Sequence, residues 1–406
     1  MLTTALASRL FLNPRASHSP YADEGRDDIL SLHALSLARA EIQSWEGYQA
    51  TPLRSLRSIA HETGVKAVFY KDESQRFGLG SFKALGGAYA VFRLLQAEVE
   101  RATGARPSSR ELIAGKYAEL TRTVTVACAT DGNHGRSVAW GASLFHCQAV
   151  IYVHGSVSTE RVGAIAAYGA RVDRIEGNYD NAVSRVAQDA ARMGWHIVSD
   201  TSYEGYVDVP RDVMQGYGVM IEEAIAQAGT MPTHIFVQGG VGGVAASTCA
   251  YLWERFGARR STLIVVEPET ADCLFQSAMA GRPTAVAGEL ETIMAGLACG
   301  VVSLLAWKIL DKGADAFMTI SDAAAADCMR RLAAPREGDP PVVAGESAVA
   351  GLAGFFAVCG DPQRRAQLGL DEDSTVLFLG TEGATDRDVY KKIVGAAPED
   401  IDRNAT

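Results

Sequence analysis

A chain of 406 residues with 48% hydrophobic and 21% charged residues has the composition of a soluble globular protein with filled cores, and at about 150 residues per domain it has room for two. Its net charge of -10 argues against a non-specific nucleic-acid binder, which would carry a basic stripe. It contains no apolar run of about 18 residues, so no membrane span is expected.

The N-terminal residues Met1–Leu12 lack a basic start and a long apolar stretch, so they do not read as a signal peptide, and a cytosolic location is expected. The stretch to about Arg26 mixes Pro, Ser and charge and reads as an arm over the surface. From Val65 onward short apolar runs alternate with helical ones. Strands are expected at Ala67–Tyr70, Thr123–Cys128, Gln148–Val153, Arg171–Ile175, His234–Val237 and Leu263–Glu267. Helices are expected at Ala84–Gln96, Ser137–Leu144, Glu160–Tyr168, Asp180–Met193 and Val244–Phe256. This alternation is the pattern of mostly parallel sheets with crossover helices, repeated before and after about Asp200, so two α/β domains are expected. Arg101–Lys116 reads as a polar excursion from a surface helix. The seven cysteines form no Cys-x-x-Cys pair, which fits neither a zinc site nor a disulfide framework, and no metal is expected.

Three segments carry chemistry. In the first, Gly78, Gly80 and Ser81 open directly into Phe82 and Lys83 at a helix start. The helix dipole disfavours a cation there and lowers an amine's pKa, which suits a lysine that attacks an aldehyde; the alternative is a surface lysine that follows a cap. The second is Thr130-Asp131-Gly132-Asn133-His134-Gly135-Arg136, between a strand and a helix. Free N–H groups at a helix start suit an anion, and Asn133 suits a phenolate-like oxygen. An Asx turn is the alternative, but it leaves unexplained why polar side chains gather where α/β sheets place ligands. The third is Gln238-Gly239-Gly240-Val241-Gly242-Gly243. Its glycines free the backbone to wrap a phosphate. A dinucleotide loop with Glu267 as ribose ligand, as in a nucleotide-dependent oxidoreductase, is the competing reading.

Together these segments resemble the fold-type II pyridoxal-phosphate family, through Ser81-Phe82-Lys83, Gly132-Asn133, Gly239–Gly243 and Thr381 in Phe378-Leu-Gly-Thr-Glu-Gly. Within that family the chain is most similar to the diaminopropionate ammonia-lyases. Asp131 precedes the Gly-Asn pair where other relatives carry Ser or Thr, and the likeness extends through Asp200-Thr-Ser-Tyr, Met214-Gln-Gly-Tyr, Glu267-Pro-Glu-Thr-Ala-Asp-Cys, Thr292–Gly300 and Thr381–Asp386. The chain departs from that group at Gly80-Ser81, where Asn-Ala is usual, and at His154-Gly-Ser, where Pro-Lys-Gly-Ser is usual.

The resemblance implies an α/β protein of two three-layer domains with twisted, mostly parallel sheets and pyridoxal 5'-phosphate in the cleft between them. Residues 1–80 and 205–406 would form the larger domain and 81–204 a smaller, mobile one. Lys83 would carry the cofactor, with Phe82, Asn133, Gly239, Gly240, Val241, Gly242, Gly243 and Thr381 around it. Ser81, Thr130, Asp131 and Asp200 would meet a small amino-acid substrate, with Lys83, Asp131 and Asp200 catalytic. The implied reaction is elimination of 2,3-diaminopropionate, D or L, to pyruvate and two ammonia by a homodimer. The nearest competing activities are a serine/threonine dehydratase or a β-replacement enzyme of the same fold; a cofactor-binding regulatory protein without turnover is a further alternative. Glu382 reads equally as a cap and as a ring-edge contact, His134 as a loop stabiliser and Asp386 as a helix cap. Cys273 and Cys299 are expected to remain thiols.

Overall fold

The computed structural model describes residues 8–403 apart from Asn178 and Glu337. Its strands in chain order are β1 (Ser8–Leu12), β2 (Leu53–Ser55), β3 (Ala67–Asp72), β4 (Thr125–Ala129), β5 (Gln148–His154) and β6 (Arg171–Ile175). They continue with β7 (His196–Ile197), β8 (His234–Gln238), β9 (Thr262–Pro268), β10 (Ala316–Ile320) and β11 (Thr375–Gly380). The chain divides into two compact units. Among the described residues no helix is long and apolar enough to cross a membrane.

One unit holds the chain up to Leu32, Ala50–Gln75 and everything from Met220 onward. Its seven-stranded sheet has the order β1-β10-β9-β8-β11-β3-β2. The five inner strands run parallel, and β1 and β2 close the two edges antiparallel. Strands such as Leu263–Val266 and Val376–Leu379 are buried throughout, which explains continuous apolar runs rather than alternation: both faces of a parallel sheet are covered. Part of the N-terminal arm differs from expectation. Ser8–Leu12 is a sheet strand, paired residue for residue with Ala316–Ile320, while the arm's first seven residues lie outside the described residues.

The other unit holds His33–Gln49 and Arg76–Val219. Its four-stranded sheet, β6-β5-β4-β7, is parallel throughout. The helix that begins at Lys83 runs to Thr103, beyond the expected Gln96, and ends on Gly104 in the left-handed conformation. The next sheet-covering helix begins at Asn133, four residues before the expected Ser137, because Gly132 (φ 149°) makes the turn immediately after the loop. Within Arg101–Lys116 a short helix, Ser109–Ile113, is started by a reciprocal capping box between Ser108 and Glu111.

Helix contacts in this unit depend on absent side chains. In the helix Asp208–Ala228, a Cβ on Gly216 would lie 2.0 Å from the Leu85 carbonyl oxygen and 3.0 Å from Gly86 Cα, so the two backbones touch only because glycine is there. An exposed glycine in mid-helix would gain up to about 1 kcal/mol on becoming alanine. Gly216→Ala should instead lose about 2–3 kcal/mol by overpacking against main chain that has little room to yield, as urea denaturation of the purified protein would measure.

Candidate active site

The candidate side chains of the smaller sheet stand at the carboxyl ends of neighbouring parallel strands, where α/β sheets present ligand-binding groups. Thr130 and Asp131 follow β4, His154 ends β5, and Asp200 lies three residues beyond β7. Lys83 is the first residue of its helix. Its Nζ is 2.5 Å from Asp200 Oδ2, and the two side chains are only 20% and 17% exposed. This excludes a solvated surface lysine.

Burial alone would favour the neutral form of Asp200. The Lys83 ammonium and then His134 outweigh it, and the carboxyl is held well below the usual carboxylate range. His134 Nε2 donates to the Val198 carbonyl at 2.8 Å; a carbonyl only accepts, so the proton is on Nε2. Its Nδ1 lies 3.9 Å from Asp200 Oδ2. Burial drives its pKa down, opposed by the Asp200 charge. His134 therefore ties the start of its helix to the chain just after β7 and also faces the ion pair.

The Asp131 loop is closed by its neighbour. Thr130 Oγ1 accepts the N–H groups of Gly132 and Gly135, both at 3.0 Å. Arg136 reaches back to the Leu79 carbonyl at 2.9 Å, tying this loop to the one that precedes Lys83. Ser81 and Phe82 are buried, and Asn133 begins its helix. Asp131 Oδ1 lies 2.7 Å from His154 Nε2. That contact was not legible in the sequence. Neither was the role of Tyr217, whose ring centre is 4.5 Å from that of Phe82 and 5.7 Å from Lys83 Nζ; its segment, Met214-Gln-Gly-Tyr, signals family likeness and nothing about the lysine. Burial raises the Tyr217 phenol strongly, and the Lys83 charge opposes that.

In the larger unit the glycine loop joins β8 to the helix Gly243–Phe256. Gly242 has φ 100°, and a Cβ on Gly240 would sit 3.2 Å from the Gly296 carbonyl oxygen and 3.3 Å from Cys299 Sγ. The loop therefore brings bare backbone to the N-terminus of a buried helix, a setting suited to a phosphate. Beside it, the Gln238 amide donates to the Leu379 carbonyl at 2.7 Å and to the Thr381 hydroxyl oxygen at 2.5 Å. Since that oxygen accepts, the Thr381 proton remains available for an acceptor such as a ring nitrogen.

Other candidates have structural partners. Glu267 is fully buried, and its two oxygens accept the N–H groups of Leu274 (2.8 Å) and Phe275 (2.7 Å). It caps the helix Cys273–Ala280, which removes the ribose ligand on which the dinucleotide reading depended. Glu382 accepts from the Ser347 N–H at 3.1 Å. Asp386 caps the helix Arg387–Val394 by accepting from Val389. None of the seven cysteines is in a disulfide.

Residues 45–382 match the family "Pyridoxal-phosphate dependent enzyme". The chain is 40% identical over 372 residues to a diaminopropionate ammonia-lyase of Escherichia coli (strain K12), covering 90% of this chain and 92% of that one. The crystal structure of the selenomethionine holo diaminopropionate ammonia-lyase from Escherichia coli is 37% identical, with a TM-score of 0.87 over 96% of this chain and 97% of that chain. A second Escherichia coli structure of that lyase, in complex with an aminoacrylate–PLP azomethine reaction intermediate, superposes with a TM-score of 0.84 at 37% identity and the same coverage.

The Lys83–Asp200 pair makes stability depend on pH. The folded carboxyl lies below its unfolded value of about 3.9, so its contribution is complete above that pH and is lost as pH falls toward the folded value. Asp200→Asn should cost the protein without added ligands about 2 kcal/mol at pH 7, the size of one hydrogen bond to a charged group. The gap between the variant and the parent should narrow below about pH 4, as denaturation curves at several pH values would record.

Proposed function

We propose, because this chain belongs to the diaminopropionate ammonia-lyase family of pyridoxal-phosphate-dependent enzymes, that it eliminates the β-amino group of 2,3-diaminopropionate. The products are pyruvate and two ammonia. Kinship along nearly the whole chain carries this reading, and the Lys83–Asp200 pair gives it a local chemical basis.

The residues present fit pyridoxal 5'-phosphate. The Gly239–Gly243 loop offers a side-chain-free cradle at a helix N-terminus, Thr381 has a proton to donate, and Lys83 is an amine with an ionised partner. Lys83 would attach the cofactor, with Phe82 and Asn133 beside it. Gly239, Gly240, Val241, Gly242 and Gly243 would hold its phosphate and Thr381 its ring nitrogen. When bound, the cofactor supplies the electron sink that makes the Cα proton acidic.

The chain's own groups do the rest. Asp200 or Lys83 takes the Cα proton of the L-isomer, and Asp131 takes that of the D-isomer. An amine leaves readily only when protonated, so Asp131 also keeps the β-nitrogen as ammonium. A neutral β-hydroxyl in the same place would leave that carboxylate unpaired, which disfavours serine. Ser81 and Thr130 line the substrate's position. Lys83 would again hold the cofactor as aminoacrylate is released, and hydrolysis of aminoacrylate by water gives pyruvate and the second ammonia. A cytosolic homodimer belongs to the same proposal: the dimer is what the family resemblance implies, and cysteines scattered without a Cys-x-x-Cys pair suit a reducing compartment.

Two ammonia per pyruvate are expected from either diaminopropionate isomer; turnover of serine or threonine at comparable kcat/KM, with one ammonia, would make the chain a hydroxyamino-acid dehydratase instead. Borohydride treatment of the cofactor-loaded protein should fix the pyridoxyl group on the peptide containing Lys83, and Lys83→Ala should abolish both the label and activity. Asp131→Asn should depress the D-isomer's kcat/KM at least about 100-fold and Asp200→Asn the L-isomer's by a similar factor, the scale of a lost acid–base group. Equal losses on both isomers would refute the division of labour.

A further inference from the structure

His154 ends β5, and Asp131 lies two residues past the end of β4. The two strands are parallel, with Ala129 opposite Tyr152. Two further residues along each strand bring Asp131 and His154 side by side. His154 Nε2 is 2.7 Å from Asp131 Oδ1, and its Nδ1 is 2.8 Å from Ser156 Oγ. An ionised carboxylate only accepts, so the proton between ring and carboxylate resides on Nε2. In the neutral ring Nδ1 then accepts from the Ser156 hydroxyl, and every group in the chain Ser156–His154–Asp131 has a partner. The Asp131 main chain is fixed separately, its carbonyl accepting from Arg161 Nη1 at 3.2 Å.

We propose that His154 is a positioning residue for Asp131, holding the carboxylate in one rotamer through Oδ1 so that Oδ2 engages the substrate. The proposal rests on the reading of Asp131 given above. It also gives meaning to the departure at His154-Gly-Ser. The family pattern places a lysine before this Gly-Ser, and a lysine offers a mobile point charge. An imidazole offers one N–H in a fixed plane, with a second nitrogen through which Ser156 sets the tautomer. His154 and Asp131 are 17% and 34% exposed, so the contact is screened only in part.

The test is a cycle of His154→Leu, His154→Gln, Asp131→Asn and the His154→Leu/Asp131→Asn double variant, each as holoenzyme and assayed on both diaminopropionate isomers. His154→Leu should lower kcat/KM about tenfold, the effect of one hydrogen bond to a charged group, on whichever isomer Asp131→Asn impairs. His154→Gln, whose amide can donate to the same oxygen, should recover most of the loss, and the double variant should be no worse than Asp131→Asn alone. Multiplying losses in the double variant, or no recovery with glutamine, would overturn the positioning role and leave Asp131's own role intact. An Asp131→Asn variant as active as the parent on both isomers would overturn the reading of Asp131 and this inference with it. Nitrogen NMR of the histidine rings supplies a readout independent of turnover and of variant folding: Nε2 of His154 should be protonated in the unsubstituted holoenzyme, and an unprotonated Nε2 would refute the hydrogen bond itself.

Discussion

The constraint on which the smaller unit turns is an amine placed where its own helix repels it. Lys83 occupies the first residue of a helix, the end that carries partial positive charge, and it is largely buried there. The chain answers with one carboxylate, Asp200, delivered by the loop after a two-residue strand. The dependence is mutual. Without the ammonium, burial would push Asp200 toward its neutral form, and without the carboxylate the amine would lose the negative charge that offsets the dipole beside the rings of Phe82 and Tyr217. Those rings, His134 on the Val198 carbonyl and the Thr130-closed loop are the packing that keeps the pair in place.

Much of the frame was legible because buried parallel strands announce themselves. His234–Val237 and Leu263–Glu267 are mostly apolar runs and Thr123–Cys128 is a β-branched one, and each contains the body of a strand that is buried along nearly all its length. Elements of two or three residues show no period: β2 and β7 leave no trace in the sequence, although β7 is the element that carries the chain to Asp200. Ser8–Leu12 reads, with the polar residues around it, as an arm, because pairing with a strand about 300 residues away has no local signature. The same reason explains why His33–Gln49 was not assigned to the unit with Lys83.

The chemistry divides along the same line. Lys83, Asp131, Asp200 and the glycine loop sit in short motifs, and motifs survive in one dimension. The partners that give those residues their behaviour come from strand register and helix packing. His154 meets Asp131 because Ala129 lies opposite Tyr152, and Tyr217 reaches the lysine on a helix seated through Gly216 against Leu85. Glu267 shows the converse. At a strand end beside a glycine loop it had the sequence setting of a ligand, yet it serves two N–H groups of the next helix.

The strand Ser8–Leu12 has a consequence for how this protein behaves in company. An inner parallel strand left at a sheet margin offers a row of open N–H and C=O groups to any extended chain that drifts past. Here β10 is covered by β1, whose Arg9 is itself engaged with Asp272 and lies over the Phe275 ring. The open margin thus passes from β10 to β1, a strand of only five residues whose arginine is already engaged, two features that blunt a sheet edge.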